Sequence, residues 1–126
     1  MIPTFIRSYE AAAKIEGRRI VAFADRANGS TITTAASNTE ASLGVCDSMG
    51  APAGGMCDVH RAGLLPVILG GTVEAGDPLT SDASGAAIKA VAAAGTSIRI
   101  IGFADEPGIA GDLCETFLSP GFLHEA

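Results

Sequence analysis

The chain has 126 residues, a formal net charge of −6 and sixteen glycines; 48% of its residues are hydrophobic but only 5% aromatic. That is room for one domain. The acidic balance excludes the basic stripe that nucleic-acid binding needs, and no uncharged apolar run approaches the ~20 residues of a membrane-spanning helix. Much of the apolar content is alanine, which buries little area, so the packing is expected to be modest and helped by neighbouring copies.

The first segment, Ile2-Pro3-Thr4-Phe5-Ile6-Arg7-Ser8-Tyr9, mixes large apolar residues with one arginine and holds the only tyrosine. It lacks the long apolar stretch of a signal peptide. Ser8 to Glu16 carries a possible cap and three alanines, but Gly17 limits any helix to about two turns. Arg19 to Ala24 reads as a strand, Asn28-Gly29 as a hairpin turn, and Ser30 to Ala35 as the β-branched return. Leu43–Asp47 and Met56–Arg61 form a second pair of runs around a Gly/Ala/Pro-rich loop. Leu65-Pro66-Val67-Ile68-Leu69 is apolar, with Pro66 confining it to an edge or a strand start. Ser84-Gly85 is a turn, Ala86 to Ala94 is read as strand followed by loop, and Ser97–Ala104 is the strongest strand.

These elements recur in order. Leu43-Gly44-Val45-Cys46-Asp47, Gly50 and Met56-Cys57-Asp58-Val59 are echoed by Ile101-Gly102-Phe103-Ala104-Asp105, Gly108 and Leu113-Cys114-Glu115-Thr116. Upstream, Ile15-Glu16-Gly17 is echoed by Val73-Glu74-Ala75, and Ile32 falls opposite Ile88. The predicted fold class is all-β: a compact Gly-rich β-barrel or sandwich built from two similar halves, with an extended N-terminal arm. Residues 1–14 are the arm and 15–126 a single β domain, with the repeat at about 15–63 and 73–121. Nothing in a duplicated core that closes on itself is left to pair with the arm.

Constellations with chemistry are sparse. Cys57-Asp58-Val59-His60 brings a thiol and an imidazole close in sequence, but positions three apart face opposite sides of a strand. Cys46, Cys57, His60 and Cys114 lack zinc-site spacing, so no metal, cofactor or catalytic residue is predicted. Asp25, Asp82 and Asp105 flank turns and serve as backbone caps. Gly54-Gly55 and Gly70-Gly71 do not open a helix, which makes them poor phosphate loops. The three cysteines read as reduced, buried packing groups, with Cys57 and Cys114 facing inward at equivalent positions.

Gly71-Thr72-Val73-Glu74-Ala75-Gly76-Asp77-Pro78-Leu79 resembles the turn of lipoyl and biotinyl carrier domains, an alternative that would need a modified lysine on a hairpin. Lys89 has neither the flanking residues nor the turn, and Lys14 lies outside the repeat. A wider resemblance, over residues 1–121, is to the small capsid decoration, or cement, proteins of tailed bacteriophages. It rests on the order of Leu-Gly-Val at 43, Asp-Val-His-Arg-Ala-Gly at 58, Leu-Pro-Val at 65, Gly-Gly-Thr-Val-Glu-Ala-Gly-Asp-Pro-Leu-Thr-Ser-Asp at 70 and Ile-Ile-Gly-Phe-Ala-Asp at 100. The resemblance implies a non-enzymatic structural protein made in the host cytoplasm and located on the capsid exterior of the virion. Its implied partners are the major capsid protein and its own copies in a homotrimer that stabilises capsid subunit contacts, with no nucleic acid and no membrane. The arm residues Pro3, Phe5, Ile6, Arg7 and Tyr9 are the expected partner contacts. A tail or receptor-binding structural module is the remaining alternative.

Overall fold

A computed structural model describes all residues, Met1–Ala126. It contains strands and no helix: β1 (Ile2–Ala11), β2 (Ile20–Asp25), β3 (Asn28–Thr34), β4 (Ser42–Cys46), β5 (Met56–Ile68), β6 (Pro78–Ser81), β7 (Ala87–Lys89), β8 (Ser97–Ala104) and β9 (Leu113–His124). They form one nine-stranded sheet in the order β1-β3-β2-β4-β5-β9-β8-β6-β7, with β1 also pairing β5. That extra pairing closes β1, β3, β2, β4 and β5 into a ring. A second ring is completed when the end of β5 meets β7 through the parallel Leu69–Ala87 bridge. The long strand β5 belongs to both. Pro66 does not start a strand; it sits inside β5 at an edge position, where β9 is the only ladder partner.

The two rings share their registers. Ile20↔Val45 and Val21↔Gly44 between β2 and β4 have counterparts in Pro78↔Phe103 and Leu79↔Gly102 between β6 and β8. Val45↔His60 and Cys46↔Val59 correspond to Phe103↔Phe117 and Ala104↔Thr116. Turn bonds match too: Ile15 bridges Ala51 as Val73 bridges Gly108. At Gly44 and Gly102 the strands approach so closely that a Cβ would collide with the carbonyl oxygens of His60 and Phe117 respectively. The same close contact recurs in each ring.

Two sequence expectations are corrected by these registers. Residues 2–10 do have a partner within the chain: β1 runs antiparallel to β5 with Arg7↔Val59 and Tyr9↔Cys57. This register matches the one between the second half of β5 and β9, where Val67↔Cys114 is the counterpart of Tyr9↔Cys57. β1 is thus the first strand of the first unit, as Gly63–Ile68 is of the second, and the repeat starts earlier than residue 15. The second correction is a one-residue slip. Ladder partners align buried Ile32 with buried Ala87, and half-buried Thr33 with Ile88. A slip of one residue exchanges the faces of a strand.

Each ring has its own core. Tyr9, Ala11, Ile15, Val21, Ile32, Leu43, Cys46, Ala51, Cys57 and Val59 fill the first. Val67, Leu69, Val73, Leu79, Ala87, Ile101, Ala104 and Cys114 fill the second, and Ile20, Ala22, Val45, Leu65 and Leu118 extend that cluster across the junction. Burial of both faces of β2 and β4 at this junction makes the rings one hydrophobic body.

Candidate functional site

The alternation that fills the second core also decides what is left outside. In β9, Cys114, Thr116 and Leu118 point inward while Leu113 and Phe117 stay more than half exposed. In β8, Ala104 is buried and Phe103 exposed. The ladders then align the outward residues laterally: Ile2↔Leu64, Leu64↔Phe117, Phe117↔Phe103 and Phe103↔Pro78. The result is an apolar row crossing β1, β5, β9, β8 and β6. Ile2, Phe103 and Phe117 are exposed to 63%, 38% and 56%. Thr4, Gly63 and Asp105 join Ile2, Leu64 and Phe117 around a shallow groove of about 330 Å³. Its β1 end is tied down by the Met1 ammonium, 3.5 Å from Glu115. Contiguous exposed apolar surface makes this row the candidate interaction site.

The five residues expected to make partner contacts separate into two groups. Pro3, Phe5, Ile6 and Arg7 are exposed along β1, with Phe5 and Ile6 about half accessible. Tyr9 is not available to a partner. It is 1% exposed, packs edge-on to Phe23 with ring centroids 6.2 Å apart, and its hydroxyl accepts a hydrogen bond from Arg61 Nη1 at 2.8 Å. The strand's alternation and the closure of the first ring turn it inward, and the Arg7 guanidinium lies over its ring at 4.7 Å. Leu64, Phe103 and Phe117 were not among the predicted contacts. Their outward positions follow from the alternation in β8 and β9, but their alignment needs the register.

Groups capable of chemistry are placed differently. Cys57 and His60 are both buried, yet the Cys57 sulfur bonds to Cys46 Sγ and the Asp58 carbonyl, not to the imidazole. His60 Nδ1 has no hydrogen-bond partner. Burial, aided by the nearby Arg18 cation, holds the His60 pKa below the usual histidine value. Cys114 donates to the Glu106 carbonyl at 3.3 Å, and burial pushes its pKa up. No group of three or more His, Cys, Asp or Glu side chains is arranged to hold a metal ion. Lys89 ends the short strand β7 with its ammonium 3.9 Å from Asp77, a surface ion pair and not a hairpin tip.

An all-β body that presents an apolar strand face is built as a structural binding module. The family model of the phage cement proteins matches residues 6–117, and the chain belongs to that family. It is a structural, capsid-associated phage protein. Among solved structures it is similar to the head fiber gp8.5 N base in bacteriophage phi29, with a TM-score of 0.66 and 24% identity, covering 94% of this chain and 95% of that one. This likeness supports the fold. Among curated proteins, none matches.

Proposed function

We propose that the protein binds the outer surface of the phage head, as a trimer, and stabilises contacts between major capsid protein subunits. The row Ile2–Leu64–Phe117–Phe103 carries this reading: it is an apolar row that the two-ring body leaves uncovered, and it spans strands of both units. Phe5 and Ile6 extend the surface along β1, with Pro3 and Arg7 at its border. A capsid carboxylate suits Arg7, whose planar guanidinium can pair in bidentate fashion.

A cement acts by linkage. Because it binds the assembled shell and not the dissociated subunits, it shifts the shell's stability by mass action, by roughly 2.7 kcal/mol per site at a free concentration one hundred times Kd. Contacts of one protomer are small, and joining three raises the effective concentration of the second and third. The test is to add purified protein to heads assembled without it and to follow co-sedimentation and the temperature of DNA release. Saturable binding with a higher release temperature is the expected result. Heads that neither bind the protein nor gain stability would refute the proposal, and equilibrium sedimentation of the free protein decides the trimer.

A further inference from the structure

Cys46 at the end of β4 and Cys57 near the start of β5 are both 0% exposed in the first core. Their strands are ladder neighbours, with Cys46 opposite Val59, so Cys57 lies diagonally across on the same inward face. Their sulfurs are 2.8 Å apart, closer than two unlinked thiols rest comfortably. The turn between them is already set, since Asp47 Oδ1 accepts from the amides of Met49 and Gly50 at 3.1 and 3.2 Å. The second ring lacks the pair: Ala104 stands where the first has Cys46, leaving Cys114 alone with backbone carbonyls.

We infer that Cys46 and Cys57 are a latent disulfide that staples the first ring once the protein meets an oxidising medium, the oxidant being a small hydroperoxide. Contact between the two sulfurs pushes their pKa values apart, lowering that of Cys57 and raising that of Cys46, so Cys57 is the sulfur that ionises first. The Cys57 thiolate attacks hydrogen peroxide, the O–O bond breaks, and hydroxide leaves a sulfenic acid. Cys46 then attacks the Cys57 sulfur. The S–S bond forms as the S–O bond breaks, and the departing hydroxide takes the Cys46 proton as water. In total two thiols lose two electrons and two protons to one peroxide, which becomes two waters. The proposed route for a small oxidant is the open cleft that Ile15 and Ala51 of the same core line with Met49, Pro52 and Met56.

The experiment uses the full chain. Reduced protein is freed of reductant, treated with equimolar hydrogen peroxide, denatured, alkylated with iodoacetamide and digested with trypsin. Both cysteines fall in the tryptic peptide Ala27–Arg61 and Cys114 in Ile100–Ala126. The proposal expects Ala27–Arg61 to lose two hydrogens and take up no label, reversibly with a phosphine, while Ile100–Ala126 remains labelled. The oxidised protein should also melt higher, by roughly 5–10 °C, because the link closes a short loop in the unfolded chain. A Cys46→Ala variant should instead accumulate oxygen on Cys57. Full labelling of Ala27–Arg61 after treatment, oxygen located by fragmentation on Cys46 or Cys57 of the wild type (and not on the exposed Met49 or Met56 of the same peptide), or a link to Ile100–Ala126 would each overturn the proposal, and the wild-type digest decides it even if the variant does not fold.

Discussion

Arg18 and Gly76 occupy the same turn in the two units, and both have positive φ, 62° and 89°. The Arg18 amide donates to the Cys46 carbonyl and the Gly76 amide to the Ala104 carbonyl, so the same hairpin-like closure is made twice. Glycine takes this conformation without cost; an L-residue with a Cβ does not.

Arg18→Gly should therefore stabilise the protein by about 0.5–1 kcal/mol, the relief of strain being partly offset by a more flexible unfolded chain. Gly76→Ala should destabilise it by about 1 kcal/mol. A Cβ at Gly76 meets no heavy atom within 4 Å, so the loss reports backbone conformation alone. Urea unfolding of the two variants checks the pair of opposite signs; a stabilising Gly76→Ala would contradict the assigned turn.

Tyr9→Ala should cost about 3–5 kcal/mol, as expected for removing a large buried ring. It would also leave Arg61 Nη1 without its acceptor. Tyr9→Phe keeps the packing and should cost only about 1 kcal/mol. Chemical denaturation measures both. If Tyr9→Ala were as stable as wild type, β1 would have to be a detachable segment and not a wall of the first ring.

How far the sequence could be read is clearest at β1. The repeat was legible where short motifs survive, as in Leu43–Asp47 against Ile101–Asp105 and Cys57 against Cys114. It was illegible at the first strand, because Ile6-Arg7-Ser8-Tyr9-Glu10-Ala11 and Leu64-Leu65-Pro66-Val67-Ile68-Leu69 share no residue. Their surroundings differ: Arg7 is exposed, while its counterpart Leu65 is buried at the junction between rings. Only the ladder register reveals that they are equivalent. The apolar row has the same character, since Ile2, Leu64, Phe117 and Phe103 lie far apart in sequence and become neighbours through three registers. Inward placement of the cysteines could be read from alternation, whereas the contact of Cys46 with Cys57 depends on the diagonal offset between β4 and β5.

Acid should weaken the fold through His60. Its pKa in the folded protein is lowered, chiefly by burial, so the unfolded chain binds the proton more readily. Stability contributed by the neutral ring is complete above the unfolded value of about 6.5 and is lost as pH falls from there towards the folded value. Thermal melts between pH 7.5 and 5 should show the decline, and His60→Phe should flatten it. An unchanged slope in His60→Phe would assign the decline to other groups.

If the exposed strand face holds the protein on the head, its outward aromatics Phe103 and Phe117 carry the binding. Phe103→Ser combined with Phe117→Ser alters two outward side chains, exposed to 38% and 56%, that belong to neither core, so the fold should persist with a modestly lower melting temperature. Occupancy on heads assembled without the protein, measured by quantitative co-sedimentation at fixed concentration, is the direct test. At a concentration that half-saturates the heads with wild type, the double variant, still folded and with an unchanged oligomeric state, should lose at least ~90% of that occupancy, as removal of two central aromatic contacts of about 1–2 kcal/mol each would produce. Wild-type occupancy by the folded variant would contradict the account and place the capsid contact elsewhere on the surface.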